Sequence, residues 1–242
     1  MNGSVKLSLV IPVYNGGSFL GEKIPVLLSW LAETMDRELI LVNDGSTDTT
    51  AALVETLRTV SNCVVIHHEH NQGKGAALRT GFRMAKGTFV AFTDADVPYG
   101  LKILDEMKAV MDNDLTLGIV YGSRNHAQSD GLKNYGMIRR IGRNFFSNVI
   151  RWSIVSDVFD SQCGIKLFRQ SFVQDVVRCA RINRFAFDVE LFVIAKARGY
   201  HYQDFAVTLT HRRDSSVRLV KDTLSMLWDI LKIRWRARQG DY

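Results

Sequence analysis

Two carboxylates, Asp94 and Asp96, stand one residue apart directly after the apolar run 89–92. Residues i and i+2 of an extended chain point to the same side, so both carboxylates are expected to converge where this strand ends. Close carboxylates repel each other unless a cation or a shared proton neutralises them. Mg2+ accepts one or two carboxylates and completes its shell with water or phosphate oxygens. The pair predicts a metal-bound phosphorylated ligand, although a solvated, helix-capping turn has the same D-A-D pattern.

Three other polar segments also follow apolar runs: P-V-Y-N-G-G (12–17), V-N-D-G-S-T-D (42–48) and H-N-Q-G-K-G-A-A (70–77). Asp44 is placed to accept a hydrogen bond from a base N–H, and Tyr14 to pack beside that base. Lys74 lies between two glycines ahead of a predicted helix, a position suited to phosphate. Each signal alone is weak, because G-K-G is neither a P-loop nor a full dinucleotide fingerprint, and Asp44 also fits an ordinary turn.

The elements that must position these residues alternate between strand and helix. Strands are predicted at 7–13, 39–42, 64–67, 88–92 and 117–122, and helices at 18–33, 48–60, 73–86 and 98–112. Fully apolar strands in this order predict an α/β fold with a parallel sheet covered on both faces. Open sheets of this class bind ligands at the carboxyl edge of the strands. The four polar segments are therefore expected to meet there.

The second half of the chain has a different pattern. A helix is predicted at 137–155, a strand at 165–168, a helix at 187–197, an extended segment at 202–209 and a last helix at 217–238. The apolar stripe predicted for the last helix consists of Val220, Leu224, Leu227, Leu231 and Trp235. No linker is evident, so one domain is predicted over 1–242, with halves 1–122 and 123–242.

Composition excludes several classes of protein. With 46% hydrophobic residues in 242, the chain can bury a large core, and its three cysteines, an odd number, argue against a disulfide framework. The net charge of +6 suits an anionic partner. A nucleic-acid-binding module is permitted by the charge but disfavoured, since no such motif is present and the strand-end carboxylates would repel a phosphate backbone. The start is not a signal peptide, because Pro12 interrupts it, and no run approaches the ~20 apolar residues of a membrane span.

The ordered set of motifs resembles the family 2 glycosyltransferases, which have the GT-A fold. The matching segments are I-P-V-Y-N, V-N-D-G-S-T-D-T-T, N-Q-G-K-G-A-A-L-R-T-G and D-A-D. In the second half, G-S-R (122–124), R-R-I-G-R-N-F-F-S-N-V-I-R (139–151), D-S-Q-C-G-I-K-L-F (160–168) and F-D-V-E-L (187–191) resemble the polyprenyl-phosphate hexosyltransferases. These are the relatives of dolichyl-phosphate glucosyl- and mannosyltransferases. The resemblance covers roughly residues 5–236.

The resemblance implies an inverting transfer of a hexose from UDP-glucose or GDP-mannose to a polyprenyl phosphate. It implies that Asp94 and Asp96 hold Mg2+ or Mn2+ against the donor diphosphate. The implied nucleotide-sugar site consists of Pro12, Tyr14, Asn15, Asp44, Lys74, Asp94, Ala95, Asp96, Arg212 and Arg218. The implied catalytic residues are Asp94, Asp96, Arg124, Asp160 and Gln162. Lys166 shares a motif with Gln162, and its role stays open.

The acceptor decides whether a general base is needed. A hydroxyl must lose a proton, whereas a polyprenyl phosphate is already anionic and needs only cations to hold it. Arg139, Arg140 and Arg143 are expected to bind this phosphate. The alternative is a glycan or small-molecule hydroxyl acceptor with Asp160 as base; Asp160 fits equally well as a residue that holds an arginine or a loop in place.

Two further expectations concern helices. Asp188 and Glu190 are two apart in a predicted helix, so at most one is expected to face the site. The helices at 137–155 and 217–238 are basic and carry aromatic residues, so they either lie on anionic lipid or pack on the sheet. A peripheral enzyme at the cytoplasmic face of a membrane is predicted, and a membrane-anchoring partner or a homo-oligomer stays open.

Overall fold

The computed structural model describes residues 5–124, 126, 157–210 and 219–242, with 219–224 as backbone only. The strands are β1 (Leu7–Val13), β2 (Arg37–Asn43), β3 (Cys63–His67), β4 (Phe89–Thr93), β5 (Leu117–Ser123), β6 (Ile165–Arg169) and β7 (His201–Ala206). The helices are α1 (Gly17–Ala32), α2 (Thr50–Glu55), α3 (Lys74–Met84), α4 (Ile103–Asn113), α5 (Gln170–Cys179), α6 (Phe187–Ala197) and α7 (Leu219–Gln239).

The strands form one sheet in the order β3-β2-β1-β4-β6-β5-β7. The pairs β1–β2, β1–β4, β2–β3 and β5–β7 are parallel, whereas β6 runs antiparallel to both of its neighbours, β4 and β5. Thr93 pairs with Ile165 in this register. The first residue of β6 therefore lies at the edge of the sheet where β4 and β5 end.

The side chains of each strand alternate between two cores, one on each face of the sheet. On β1, Leu9 and Ile11 pack with α1, α2 and α4, whereas Val10 packs with α3, α5, α6 and α7. Burial on both faces explains why the inner strands, such as β1 and β4, are continuous apolar runs. The predicted α/β class is confirmed.

Some boundaries differ from the sequence-based expectation. Helix α2 ends at Glu55, not near residue 60. Helix α4 begins at Ile103, not at residue 98, because Pro98 and Gly100, the latter at φ 70°, lie in the turn before it. Helix α5 was not predicted, although its buried residues, Phe172, Val173 and Val176, have helical spacing. The predicted helix at 137–155 lies outside the described residues.

Helix α7 presents a different face to the core from the one predicted. Met226, Ile230 and Ile233 are buried, whereas Leu231 and Trp235, of the predicted stripe, are 56% and 62% exposed. Both sets recur at three- and four-residue spacing, so periodicity alone could not choose between them. Within the described part of the chain, no helix is long and apolar enough to cross a bilayer.

Candidate active site

The carboxyl edge of the sheet gathers charged residues from five elements. Asp94 and Asp96 follow β4, Lys74 is the first residue of α3, and Asp188 lies in the first turn of α6. Arg124 follows β5 directly. The antiparallel direction of β6 brings Lys166 and the preceding Gly164 to the same edge.

Lys74 joins two of these carboxylates. Its ammonium lies 2.9 Å from Oδ1 of Asp94 and 3.5 Å from Oδ2 of Asp188. The other oxygen of Asp188 accepts a hydrogen bond of 2.5 Å from Lys166, which is fully buried and also donates to the carbonyl of Cys163. Burial opposes the charge of Lys74, but the Asp188 and Asp94 charges prevail and raise its pKa. The result is a line of alternating charges running from the core to Asp94.

The carboxylate of Asp94 rests on a glycine. A Cβ at Gly164 would lie 1.9 Å from Oδ2 of Asp94, so only glycine leaves room for this side chain. The backbone N–H of Asp94 donates to the carbonyl of Gly164 at 3.1 Å. The Asp94 side chain is 43% exposed, so it is open to a ligand from solvent. Gly164 belongs to the segment D-S-Q-C-G-I-K-L-F (160–168), but nothing in the sequence indicates its contact with Asp94.

The turn that contains the carboxylate pair is strained. Val97 adopts φ 47°, in the left-handed region that a β-branched residue rarely occupies, and its N–H donates to the carbonyl of Asp94. Thr210 donates from both its N–H and its hydroxyl to the carbonyl of Pro98. The surrounding structure thus holds the turn in a conformation that it would not adopt alone, as is common at functional sites.

Asp160 is committed to Arg124. Its carboxylate, buried to 2% exposure, accepts from the Arg124 backbone N–H at 3.0 Å, from Nε at 2.7 Å and from Nη2 at 2.8 Å. Burial raises the pKa of Asp160, but the Arg124 charge and hydrogen bonds outweigh it and hold the pKa below its usual value. An ionised, fully bonded carboxylate is a poor general base. The arrangement matches the alternative in which Asp160 holds an arginine in place.

Asn15 connects the turns after β1 and β2. It adopts φ 48°, its N–H donates to the hydroxyl of Ser46, and its side-chain oxygen accepts from the N–H of Thr47. Asp48 accepts from the N–H of Gly17. The side chain of Asn15 therefore holds these two turns together, and its contact with a donor stays a prediction.

Asp44 organises the loop ahead of α3. One of its oxygens accepts from His68 and from the N–H of Gln72, and the other from the side chain of Asn71 and the N–H of Gly73. A base N–H could reach this buried carboxylate only by replacing one of these donors. The predicted contact with a base is untested, while the loop that presents Lys74 depends on Asp44.

Two polar atoms near this edge are buried without a hydrogen-bond partner in the described part of the chain: Nε2 of Gln162 and Oγ1 of Thr93. Burying an unpaired donor costs about 1–3 kcal/mol, so such atoms usually have a ligand or water partner. Gln162 was predicted as a site residue, and its unpaired amide is compatible with that role. Thr93 directly precedes Asp94 and was not predicted.

The other predicted residues are distributed as follows. Tyr14 is exposed, Pro12 is half-buried and Ala95 is buried at the carboxyl edge. Arg139, Arg140, Arg143, Arg212 and Arg218 lie outside the described residues. Of the two acidic residues in α6, Asp188 faces Lys74, whereas Glu190 accepts from the N–H groups of Arg181 and Ile182, in agreement with the expectation that at most one faces the site.

The residues fit a hard divalent cation that shares its shell with a ligand. Asp94 and Asp96 follow β4 at the sheet edge, and both residues are partly exposed. They lie in a turn and not in an extended strand, so the expected convergence of their carboxylates stays a prediction. In the described ranges no group of three or more histidine, cysteine, aspartate or glutamate side chains is arranged to hold a metal. Two carboxylates leave several positions of an octahedral shell for phosphate oxygens and water.

Comparisons with known proteins agree on one family. The model of glycosyl transferase family 2 matches residues 8–177. The dolichyl-phosphate beta-glucosyltransferase of Dictyostelium discoideum is 30% identical, over 98% of this chain and 76% of the relative. The human protein of the same name is also 30% identical, over 97% of this chain and 76% of the relative.

Solved structures show the same GT-A fold. Glucosyl-3-phosphoglycerate synthase from Mycobacterium tuberculosis, in complex with Mn2+, UDP-glucose and phosphoglyceric acid, superposes with a TM-score of 0.70 at 17% identity, over 96% of this chain and 80% of that one. Staphylococcus aureus TarS in complex with UDP-GlcNAc gives 0.62 at 20% identity, over 95% and 66%. At these identities the likeness concerns the fold.

Proposed function

The chain belongs to glycosyl transferase family 2, and from that premise we propose that it transfers glucose from UDP-glucose to a polyprenyl phosphate. The names of the Dictyostelium and human relatives specify a β-glucosyl group and dolichyl phosphate. UDP is the nucleotide in the solved complexes of this fold. The transferred sugar, the base of the donor nucleotide and the lipid acceptor are parts of the proposal, and the experiment below tests them.

The observation that carries the choice of acceptor is the pairing of Asp160 with Arg124. Asp160 was the candidate general base of a hydroxyl acceptor, and its carboxylate has three hydrogen bonds to one arginine. A phosphate acceptor has no proton to lose at neutral pH, so it does not need Asp160 as a base. This supports the polyprenyl phosphate over the hydroxyl alternative.

The reaction is then a single displacement. An oxygen of the acceptor phosphate forms a bond to the anomeric carbon of glucose, while the bond from that carbon to the β-phosphate oxygen of UDP breaks and leaves its electron pair on UDP. Attack from the face opposite the leaving group inverts the configuration. No proton moves in this step.

Charged residues stabilise the leaving diphosphate as its negative charge grows. Lys74 approaches from the start of α3, where the helix N-terminus also favours an anion. A divalent cation held by Asp94 and Asp96, when bound, would neutralise part of this charge. Arg124, fixed in one orientation by Asp160, adds a cation at the end of β5.

The membrane part of the proposal concerns α7. Trp228 and Trp235 are 63% and 62% exposed, one above the other on the face opposite the buried Ile230. The helix contains five lysines and arginines against two aspartates. Exposed tryptophans flanked by cations favour the headgroup region of an anionic bilayer. We propose that this face rests on the cytoplasmic leaflet that holds the acceptor.

Calorimetric titration of UDP-glucose and GDP-mannose, each with and without Mn2+, is the first test. Binding of UDP-glucose that requires Mn2+, followed by transfer of labelled glucose to a polyprenyl phosphate, is expected. Preference for GDP-mannose would make the enzyme a mannosyltransferase. Binding of neither donor would contradict the proposed reaction.

The variant Asp96→Ala tests whether transfer depends on a metal ion held by the carboxylate pair. It should remove transfer, because one of two carboxylate ligands is lost, while the thermal midpoint is retained since the side chain is partly exposed. Full transfer by this variant would contradict a metal role for the pair.

A further inference from the structure

The ammonium of Lys74 is paired with the carboxylate of Asp94, which is a predicted metal ligand. This ammonium lies 2.9 Å from Oδ1 of Asp94, while Oδ2 of the same carboxylate is packed on Gly164. The Lys74 side chain is 16% exposed, so this is not a loose surface pair. In the donor-free protein Asp94 already has a cation.

We propose that Lys74 is the internal counter-cation of Asp94, and that it moves from Asp94 to the donor diphosphate when a divalent cation takes its place. Metal binding would then depend on the nucleotide. The identity of that nucleotide rests on the proposed function, whereas the competition between Lys74 and a metal ion for Asp94 does not.

Asp188 is the residue that keeps Lys74 at the site during this exchange. Its Oδ2 lies 3.5 Å from the Lys74 ammonium, so Lys74 retains one anionic partner after leaving Asp94. Asp188 is 2% exposed and would be costly to bury alone. Lys166, at 2.5 Å from the other oxygen, neutralises it.

An aromatic ring lies below both lysines. The ammonium groups of Lys74 and Lys166 are each 5.0 Å from the ring centroid of Phe92, which a cation–π contact favours. Phe92 belongs to β4, two residues before Asp94. The Phe92 ring can stay in contact with both ammonium groups. Lys74 can therefore exchange Asp94 for the diphosphate by a rotation of its terminal side-chain bonds alone.

Formal charges explain why the nucleotide is required. Asp94 and Asp188 pair with two lysines, and Asp96 in the same turn as Asp94 adds a third carboxylate, which leaves one net negative charge. A divalent cation alone would reverse that sign and repel Lys74. A diphosphate brings the negative charge that lets the metal and Lys74 stay together. Metal and nucleotide should therefore bind with positive coupling.

The test measures Mn2+ binding by the loss of the free Mn2+ paramagnetic resonance signal, without any nucleotide. The variant Lys74→Met should bind Mn2+ roughly tenfold or more tightly than the natural protein, because the competing cation is gone. The control is Lys6→Met, which removes the same charge from an exposed pair, 3.4 Å from Asp36 and at the start of β1. It should leave Mn2+ binding unchanged.

The second arm repeats the titration with UDP. In the natural protein UDP should tighten Mn2+ binding strongly, and in Lys74→Met the gain should shrink, because no lysine remains to move to the diphosphate. The variant Lys74→Gln, which keeps a hydrogen-bonding side chain, should behave like Lys74→Met, and circular dichroism checks its fold.

Unchanged or weaker Mn2+ binding by both variants overturns the proposal, as does a UDP gain equal to that of the natural protein. These outcomes are separate from failure of the proposed function. A protein that lacks glucosyl transfer but shows the tighter Mn2+ binding would retain the counter-cation and lose only the assigned substrate.

Discussion

Gly164 shows how one missing side chain positions a charged one. A Cβ there would overlap Oδ2 of Asp94, so Gly164→Ala must push this carboxylate away from its position. A displacement of about 1 Å at a reacting centre can cost about 100-fold in rate. We therefore expect a loss of this order in kcat/KM for glucosyl transfer, with weaker Mn2+ binding.

The control for this variant is Gly21→Ala in α1, where an added Cβ would meet nothing within 4 Å. It should keep full activity and raise the free energy of unfolding by about 0.5–1 kcal/mol, because alanine is the better helix residue. Full activity in Gly164→Ala would show that the Asp94 position is not needed.

Asp160 and Arg124 are expected to act as one unit. Asp160→Asn and Arg124→Gln should lower transfer by similar factors, and the double variant should be little worse than either, because each removes the same pair. Steady-state kinetics on all three proteins measures this. A large loss confined to Asp160→Asn, with the acid limb of the pH–rate profile removed, would instead identify Asp160 as a base.

The same pair has a pH dependence with a definite sign. The pKa of Asp160 is lowered in the folded protein, so its ionised form adds stability at neutral pH that disappears as pH falls through the lowered value. The difference in unfolding free energy between the natural protein and Asp160→Asn should be largest at pH 7 and should narrow in acid. Denaturant unfolding at several pH values checks this, and a constant difference would contradict it.

At the scale of elements, α7 illustrates what sequence can and cannot give. Its existence and bounds followed from periodicity, but it has two apolar stripes and only packing decides that Ile230 and Ile233 face inward. The five early strands followed from their apolar runs. Helix α5 was missed although the helical spacing of Phe172, Val173 and Val176 could have predicted it, whereas the position of β6 between β4 and β5 has no local signal.

The exposed stripe of α7 gives a prediction of its own. Replacing both Trp228 and Trp235 with serine should weaken binding to vesicles containing phosphatidylglycerol by roughly tenfold or more, since aromatic anchors and cations act together at an anionic interface. Co-sedimentation measures it. Transfer to a short-chain, water-soluble polyprenyl phosphate should be unchanged.

Met35→Ser is the control for the stripe, because Met35 is exposed in the turn before β2, away from α7. It should bind vesicles like the natural protein. Equal vesicle binding by the double tryptophan variant would exclude this face as the docking surface.

At the scale of the whole molecule, Tyr242 ties distant parts together. Its hydroxyl donates to Oε1 of the fully buried Glu190 at 2.7 Å, and Glu190 accepts from the N–H groups of Arg181 and Ile182. The next residue, Asn183, accepts from the N–H of Ala76 in α3. The last residue of the sequence therefore supports the helix that begins with Lys74.

Tyr242→Phe should lower the free energy of unfolding by about 1.5–3 kcal/mol, because a hydrogen bond to a buried carboxylate is lost. Chemical denaturation measures this, with Tyr14→Phe as control, since the Tyr14 side chain is exposed. An unchanged midpoint of denaturant unfolding in Tyr242→Phe would show that the Glu190 carboxylate does not need the hydrogen bond from the Tyr242 hydroxyl.

Such contacts explain why the site was only partly predictable. The placement of Asp94, Asp96 and Lys74 at one edge followed from the parallel sheet, whereas the convergence of the two aspartate side chains stays a prediction. The pairing of Lys74 with Asp94 and Asp188 did not, because these residues are distant in sequence and meet only after packing. Asp160 could be read as a base or as a support until its distance from Arg124 was known.

The antiparallel β6 also determines when the sheet can be completed while the chain is being synthesised on the ribosome. Strands β4 and β5 are not neighbours, and the strand that joins them begins only at residue 165. Until that segment leaves the exit tunnel, the nascent β4 has an unpaired edge, of the kind that promotes aggregation. Translation pauses that occur before this segment has left the tunnel would prolong the exposure, whereas later pauses would not.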